Sequence, residues 1–531
     1  MGRILLGALV ALGVGAAITP APTAIAAVPV VVVDGEGWGH GVGMAQDGAF
    51  WMATDGASMD GILDHFYPGA GRGSHTGTVR VVVHVADDSV AALTFPDGGE
   101  VRSPRTGPQR RGFPVRVPAG GAVTIAHGPD GYRVHASGTV GAASVAAAQP
   151  VDLPLPSTTS STSTSSTTST TAGLLPGLTS TTAPEESTST TAPPPTGEPA
   201  PVPAPSGPPA ATSPEPVWAG PVTGGGTVGV PARGLRYRGE LEVSAATGVL
   251  RVVNDLDVEQ YLWGLAEVGA SFPLAAVQAQ VVAARTYALR AMAANGEICD
   301  TQRCQVYKGA SAEFPRQVEA VNTTLGTTLT WGRALASAVY SANAAGVSAT
   351  PREGFGTPDE AHPYLVATTY PTRSPDPWEV RIGLADLAVR LGYPGTAVTA
   401  RVSSTGPSGR PLEVELDGDA GPARYPALEA DAAMGLRSTR WALRIEVADE
   451  APPPPDADQA IQAPPDRVGA AVAAETAAAT SRRRATTTTL AASAPAGDDG
   501  AGRDRGPARL LVLPVLAAGA AGLIALARTR H

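Results

Sequence analysis

From Pro156 to Pro216 the chain is dominated by Ser, Thr and Pro. Such a tract cannot bury enough apolar surface to offset the entropy of ordering it, so it reads as a disordered linker. A second tract, residues 450–506, opens on Pro452–Pro455 and carries Thr486–Thr489, and reads as a disordered stalk. Together they confine any packed core in the 531 residues to about 28–150 and 218–448. Gly (62) and Pro (50) are abundant and only 16% of residues are charged, which fits extended and looped structure better than long solvated helices. The net charge of −10 excludes nucleic-acid binding as a main function, because that requires a basic surface.

The ends of the chain carry targeting signals. Arg3, the apolar run Ile4–Ile18 and Ala24-Ile25-Ala26 predict a secretory signal peptide over residues 1–26. An uncleaved anchor is the alternative. Leu510 to Ala527 is apolar and long enough to cross ~30 Å of hydrocarbon, with Arg528 and Arg530 behind it. A processed sorting tail is the other reading of that segment. The expectation is an exported protein held at the cell surface by a C-terminal membrane helix, with the stalk between domain and membrane.

Within the folded parts, Val-rich alternation predicts strands at Val79–Val85, Val90–Phe95, Val115–Val117, Ala122–Ala126 and Tyr132–His135. Further strands are expected at Leu241–Val243, Val249–Val253, Val398–Val402 and Leu412–Leu416. Leu274–Ala294 has helical spacing of Leu274, Val277, Val281, Ala284, Ala288 and Ala291, with Ser271 as candidate N-cap and Pro273 in the first turn. The predicted class is α+β, mostly sheet with one or two buried helices, in a single domain interrupted by the Ser/Thr/Pro linker.

Three segments can carry chemistry. Gly37–Ala49 places five glycines around His40 and Gln46, a pair suited to bonding a polar ligand such as a sugar; from the residues alone a Gly-rich turn with a capping His is the reading ahead of it. Glu267 lies among Trp263, Leu265, Val268 and Phe272, and an apolar surround raises a carboxyl pKa toward that of a general acid. The helix that follows pulls the other way, and capping that helix or pairing with Arg285 would be a structural role for Glu267. Gln280, Arg285 and Tyr287 are polar on an apolar helix, either solvated or buried and steering Glu267. Cys299 and Cys304, five apart in an exported chain, predict a small disulfide-closed loop, with zinc as the alternative. No metal or cofactor is expected.

Taken together, these segments resemble the stage II sporulation protein D / amidase enhancer (SpoIID/LytB) family. The stretch L-E-x-Y-L-x-G…E-M-P followed by A-L-K-A-Q-A-V-A-A-R-T-Y-A-L is matched by Val258–Gly264, Ala266–Val268 and Ala279–Leu289. D-T-x-x-x-Q-V-Y-x-G is matched by Asp300-Thr301 and Gln305–Gly309. G-x-G-H-G-V-G-M-S-Q-x-G-A is matched by Gly37–Ala49, and I-L-x-H-Y-Y-x-G by Ile62–Gly69. The family usually carries the Gly-His-Gly signature last, whereas here it comes first, as in a circular permutation. Val268-Gly269 stands in place of Met-Pro, Ala344-Ala345-Gly346 in place of Ser-Gly-Gly, and Asp47 in place of an aromatic.

The resemblance implies a lytic transglycosylase acting on peptidoglycan glycan strands. Glu267 would be its acid/base, and His40, Gln46, Gln280, Arg285, Tyr287, Gln305 and Tyr307 would bind or orient the glycan. The alternative it implies is a non-catalytic wall-binding protein that activates a cell-wall amidase.

Overall fold

The computed structural model describes residues 28–86, 89–137, 207–246, 249–373, 375–450 and 452. The expected signal peptide and membrane anchor, and nearly all of the stalk and linker, lie outside the described residues. No helix among the described residues is long and apolar enough to cross a membrane.

The fold is α+β, with more strand than helix. Two antiparallel-rich sheets enclose the largest core. One orders Ile298–Cys299, Thr78–Ala86, Val249–Asp257, Glu240–Ala246, Val217–Pro221, Gly99–Arg102 and Val115–Val117. The other orders Ala211–Ser213, Gly131–Ser137, Gly121–Gly128, Val90–Phe95, Val228–Val230 and Leu235–Tyr237. Every strand expected from Val-rich alternation is present, because inward residues such as Val81, Val83, Leu93, Phe95, Val123 and Ile125 supply the core between the sheets.

The helix Leu274–Asn295 is the hub of the molecule. Val277, Val281, Ala284 and Ala288 face the sheet core. Ala276, Ala279, Val282 and Ala283 face a second core, shared with the helices Gln46–Thr54 and Met59–Phe66. A helix apolar on all sides is one buried on all sides, and its alanines let both cores approach closely. Pro273, not Ser271, occupies the N-cap position, and no side chain caps the helix. The Pro273 carbonyl takes the first amides, those of Ala276 and Val277, so the helix begins two residues too late for Ser271 to reach it. At the other end Gly296 closes the helix at φ +73°.

A third core lies under the sheet ordered Pro377–Gly383, Val28–Glu36, Trp441–Ala448, with helices Leu384–Arg390 and Ala427–Met434 packed on it. In this sheet the first and last strands of the domain pair, with Val28 opposite Ala448.

The linker boundary needs correction. The described chain resumes at residue 207, and Ala211–Ser213 pairs antiparallel with Gly131–Ser137, so the end of the tract assigned to the linker belongs to the sheet. The described residues on either side of this segment thus lie on neighbouring strands, with Val134 opposite Ala211. Replacing the intervening residues with about eight Gly/Ser residues shortens the connection roughly eightfold. The fold should survive and gain about 2 kcal/mol from the smaller closure entropy. Urea unfolding of both forms checks this, and a shortened chain that fails to fold would refute it.

Candidate active site

Gly37, Gly39, Gly41 and Gly43 all adopt left-handed φ, from +74° to +98°. Gly43 cannot be replaced cheaply: a Cβ there would sit 2.0 Å from the Val339 carbonyl oxygen. The segment is pinned along its length by bridges Trp38–Asn343, Gly39–Ser438 and Val42–Ala349, and Met44–Ala45 pairs in parallel with Tyr340–Ser341. Arg410, fully buried behind it, donates to the carbonyls of Ala344 and Val347 and to Thr439. A glycine-rich turn is thus held rigidly, with His40 and Gln46 fixed in direction.

Ala266 and Glu267 run alongside Val306: the Ala266 N–H donates to the Val306 carbonyl (2.8 Å), and the Val306 N–H donates to Glu267 Oε1 (2.6 Å). Gln46 Nε2 donates to Glu267 Oε2 at 3.4 Å and to Gln280 Oε1 at 3.3 Å. The Tyr340 side chain lines the same cavity as the carboxyl. Burial pushes the Glu267 pKa up, and the Val306 and Gln46 donors pull it partly back. Glu267 neither caps the helix at Leu274 nor pairs with Arg285.

A cavity of about 260 Å³ opens over this carboxyl. Trp38, His40, Gln46, Glu267, Tyr287, Tyr340 and Phe355 line it, together with Gln302, Arg303 and Cys304 from the disulfide loop. Cys299 and Cys304 are disulfide-bonded, with Cα atoms 5.5 Å apart. The His40 ring lies 4.6 Å from that of Phe355, and its Nδ1 accepts the Val42 N–H at 3.0 Å. Burial lowers its pKa to about 4; a backbone bond to Tyr340 opposes this and the Arg410 charge assists it, so His40 is neutral at pH 7. Burial raises Tyr287 to about 12 and, with the nearby Glu267 charge, Tyr340 well above its usual value.

Four residues singled out in the sequence, His40, Gln46, Glu267 and Tyr287, meet in this cavity. Gln280 and Gln305 stand directly behind it, bonding Gln46 and Tyr340 respectively. Arg285 and Tyr307 do not reach it, which corrects their expected role in glycan binding. Arg285 is fully buried against Glu259, and Tyr307 is buried with its hydroxyl donating to Asn254. The sequence reading misses Trp38, Arg303, Tyr340 and Phe355. Trp38 adjoins His40 inside the glycine signature and is open to recognition there. Tyr340 stands in no motif and reaches the cavity through the pairing of its strand with Met44–Ala45.

Residues 246–331 match the family model of the stage II sporulation protein, SpoIID. The chain carries a SpoIID domain. That family is linked to sporulation and the cell wall. An uncharacterized protein of Brachyspira hyodysenteriae is 28% identical over 202 residues, which are 36% of this chain and 54% of that protein. The chain thus spans about half the length of the curated relative it matches. No solved structure matches significantly. The SpoIID segment contributes Glu267, Gln280, Tyr287 and Gln305. The glycine signature lies outside that segment, and the fold carries it there through the Gln46–Glu267 bond across 221 residues.

Proposed function

We propose that the protein cleaves peptidoglycan glycan strands as a lytic transglycosylase, with Glu267 as its acid and base. The observation that carries this reading is that, among the described residues, Glu267 is the only carboxyl lining the cavity. Hydrolytic glycosidases generally need two carboxyls about 5–10 Å apart, one for the leaving group and one to attack or to activate water. A transglycosylase needs one, because the muramoyl sugar supplies its own nucleophile. Protonated Glu267 gives its proton to the glycosidic oxygen as the C1–O bond breaks. The resulting carboxylate takes the proton of the C6 hydroxyl as O6 bonds to C1. The products are a 1,6-anhydromuramoyl end and a free 4-hydroxyl, and Glu267 is again protonated.

The surroundings support both halves of the cycle. Burial keeps the carboxyl protonated to higher pH than in water, and the Val306 and Gln46 donors hold the carboxylate when it forms. His40, Gln46 and Tyr287, which line the cavity, would bond the glycan. The pairing of the domain's first and last strands supports reading the glycine signature as permuted to the front, since a permutation needs adjacent termini. Access to this substrate requires the export that the first 26 residues predict.

Mass spectrometry of sacculi and of purified glycan strands incubated with the full chain tests the proposal. Anhydromuramoyl ends accumulating with time are the expected result. Strands bound but left intact would reject it in favour of a non-catalytic activator of a wall amidase.

A further inference from the structure

Trp38 stands apart from the other aromatic residues that line the cavity. It is 42% exposed, while Tyr287, Tyr340 and Phe355 are half-buried. It belongs to none of the three cores. Yet its backbone is firmly held. Its N–H donates to the Asn343 carbonyl at 2.8 Å, and its carbonyl accepts the Asn343 N–H at 3.1 Å. Gly37 and Gly39 flank it at φ +80° and +98°. A large apolar ring is thus held out to solvent from a rigid backbone, at a cost in hydration that no core packing offsets.

One face of this ring is taken. The Arg437 guanidinium lies over it, 4.4 Å from the centroid, and is itself tethered to Asp376 at 3.1 Å. Arg437 does not line the cavity, so the face it covers is turned away and the opposite face is the one presented there. The cation–π contact fixes the indole's orientation, so a ligand stacking on the open face need not order the ring. Phe355, by contrast, already packs its ring against His40 at 4.6 Å. The cavity's volume of about 260 Å³ falls below the roughly 300–1,000 Å³ of pockets for drug-sized ligands and gives room for about one sugar residue. The bond that Glu267 would break joins two, so the second sugar must lie at the mouth, where Trp38 is exposed.

We propose that Trp38 is the stacking platform for a sugar ring next to the scissile bond, and that Arg437 holds the indole in place from behind. This rests on the glycan substrate proposed above. In a β-1,4-linked N-acetylhexosamine strand the ring substituents are equatorial, so each pyranose presents a face of axial C–H bonds. Those weakly positive hydrogens meet the negative face of the indole. What is recognised is then the sugar ring itself, not a lactyl or peptide substituent. Trp38 is a binding residue and Arg437 a positioning residue.

The test is calorimetric titration of the full chain carrying Glu267→Gln, which binds without turnover, with the β-1,4-linked tetrasaccharide of N-acetylglucosamine. This probe has neither a lactyl group nor a peptide. In that background Trp38→Ala should weaken binding about tenfold or more, and Trp38→Phe, which keeps a π face, no more than about threefold. Trp38→Leu keeps apolar bulk without the π face and should resemble Trp38→Ala. Arg437→Gln should cost about threefold, and Arg437→Lys, which keeps the cation, should restore the affinity. Fluorescence separates binding from a structural role: the tetrasaccharide should shift the Trp38 emission, read as the difference from Trp38→Phe, to the blue. Unchanged affinity in Trp38→Ala, a Trp38→Leu variant that binds like its parent, or a parent that does not bind at all would overturn the platform. If the tetrasaccharide binds through Trp38 while the wild type forms no anhydro ends, the lytic reading fails and the platform stands.

Discussion

Glu267→Gln is expected to abolish anhydro-end formation, lowering it about a thousandfold or more, while the protein unfolds no more easily than the wild type. General acid and general base contributions each lie near 10²–10⁴, and one carboxyl performs both. Glutamine keeps the size and an acceptor oxygen for the Val306 N–H, so the cavity wall should persist. The stability part of the expectation has a definite sign. The folded pKa of Glu267 is raised above its ordinary value of 4.5. The native state therefore binds its proton more tightly than the unfolded chain. That preference stabilises the fold below about pH 4.5 and is lost as pH rises through the folded pKa. Above it the wild type holds a partly desolvated anion that the glutamine variant lacks. The melting temperature of the variant should equal or exceed the wild type's near pH 7.5, and the advantage should vanish toward pH 4. A variant that melts normally and still forms anhydro ends at the wild-type rate would remove Glu267 from the chemistry.

How far the site can be read from residues alone depends on how local its determinants are. The strands at 78–86, 90–95, 121–128 and 249–257 announce themselves because one face is Val-rich and buried, so the period of two is written in the chain. The helix at 274–295 announces itself through apolar spacing, but not its cap, since Pro273 and Ser271 compete and only the backbone path decides. The helix Gln46–Thr54 is hidden. It starts inside the glycine signature, and Gly48 is there because Tyr370 and Phe66 leave no room for a Cβ. Glu267 is legible because its apolar neighbours are adjacent in sequence. Tyr340 is not, because it joins the cavity wall only once the strand Tyr340–Ser341 lies beside Met44–Ala45. Arg285 misleads for the opposite reason. An arginine on an alanine-rich helix beside a catalytic candidate looks like a ligand-binding group, and nothing local reveals that its partner is Glu259, 26 residues earlier.

That correction carries the second large effect. Arg285 has no exposed side-chain surface, and its guanidinium is fully occupied. Nε donates to Glu259 Oε1 at 2.9 Å and Nη2 to Oε2 at 2.6 Å, while Nη1 donates to the Thr327 carbonyl at 2.9 Å. Glu259 Oε1 also accepts the Gly326 N–H at 3.0 Å. The pair thus ties the short helix Val258–Trp263, the long helix and the turn into the strand Thr327–Trp331. Glu259→Gln leaves a buried guanidinium without its counter-charge and is expected to cost about 3–5 kcal/mol. That is a large part of the roughly 5–15 kcal/mol typical of a whole domain. Arg285→Met should cost less than Glu259→Gln, because the carboxylate it strands is partly exposed and keeps the Gly326 N–H. Replacing both, Glu259→Leu with Arg285→Met, should recover much of the loss, since an apolar pair of similar volume avoids the desolvation that the ions suffer. Urea unfolding of the three variants measures this directly, and the folded fraction of each should bind glycan with unchanged affinity. Normal stability with weakened glycan binding in Arg285→Met would instead return Arg285 to the binding surface, because only a group in contact with the ligand lowers affinity without loosening the fold.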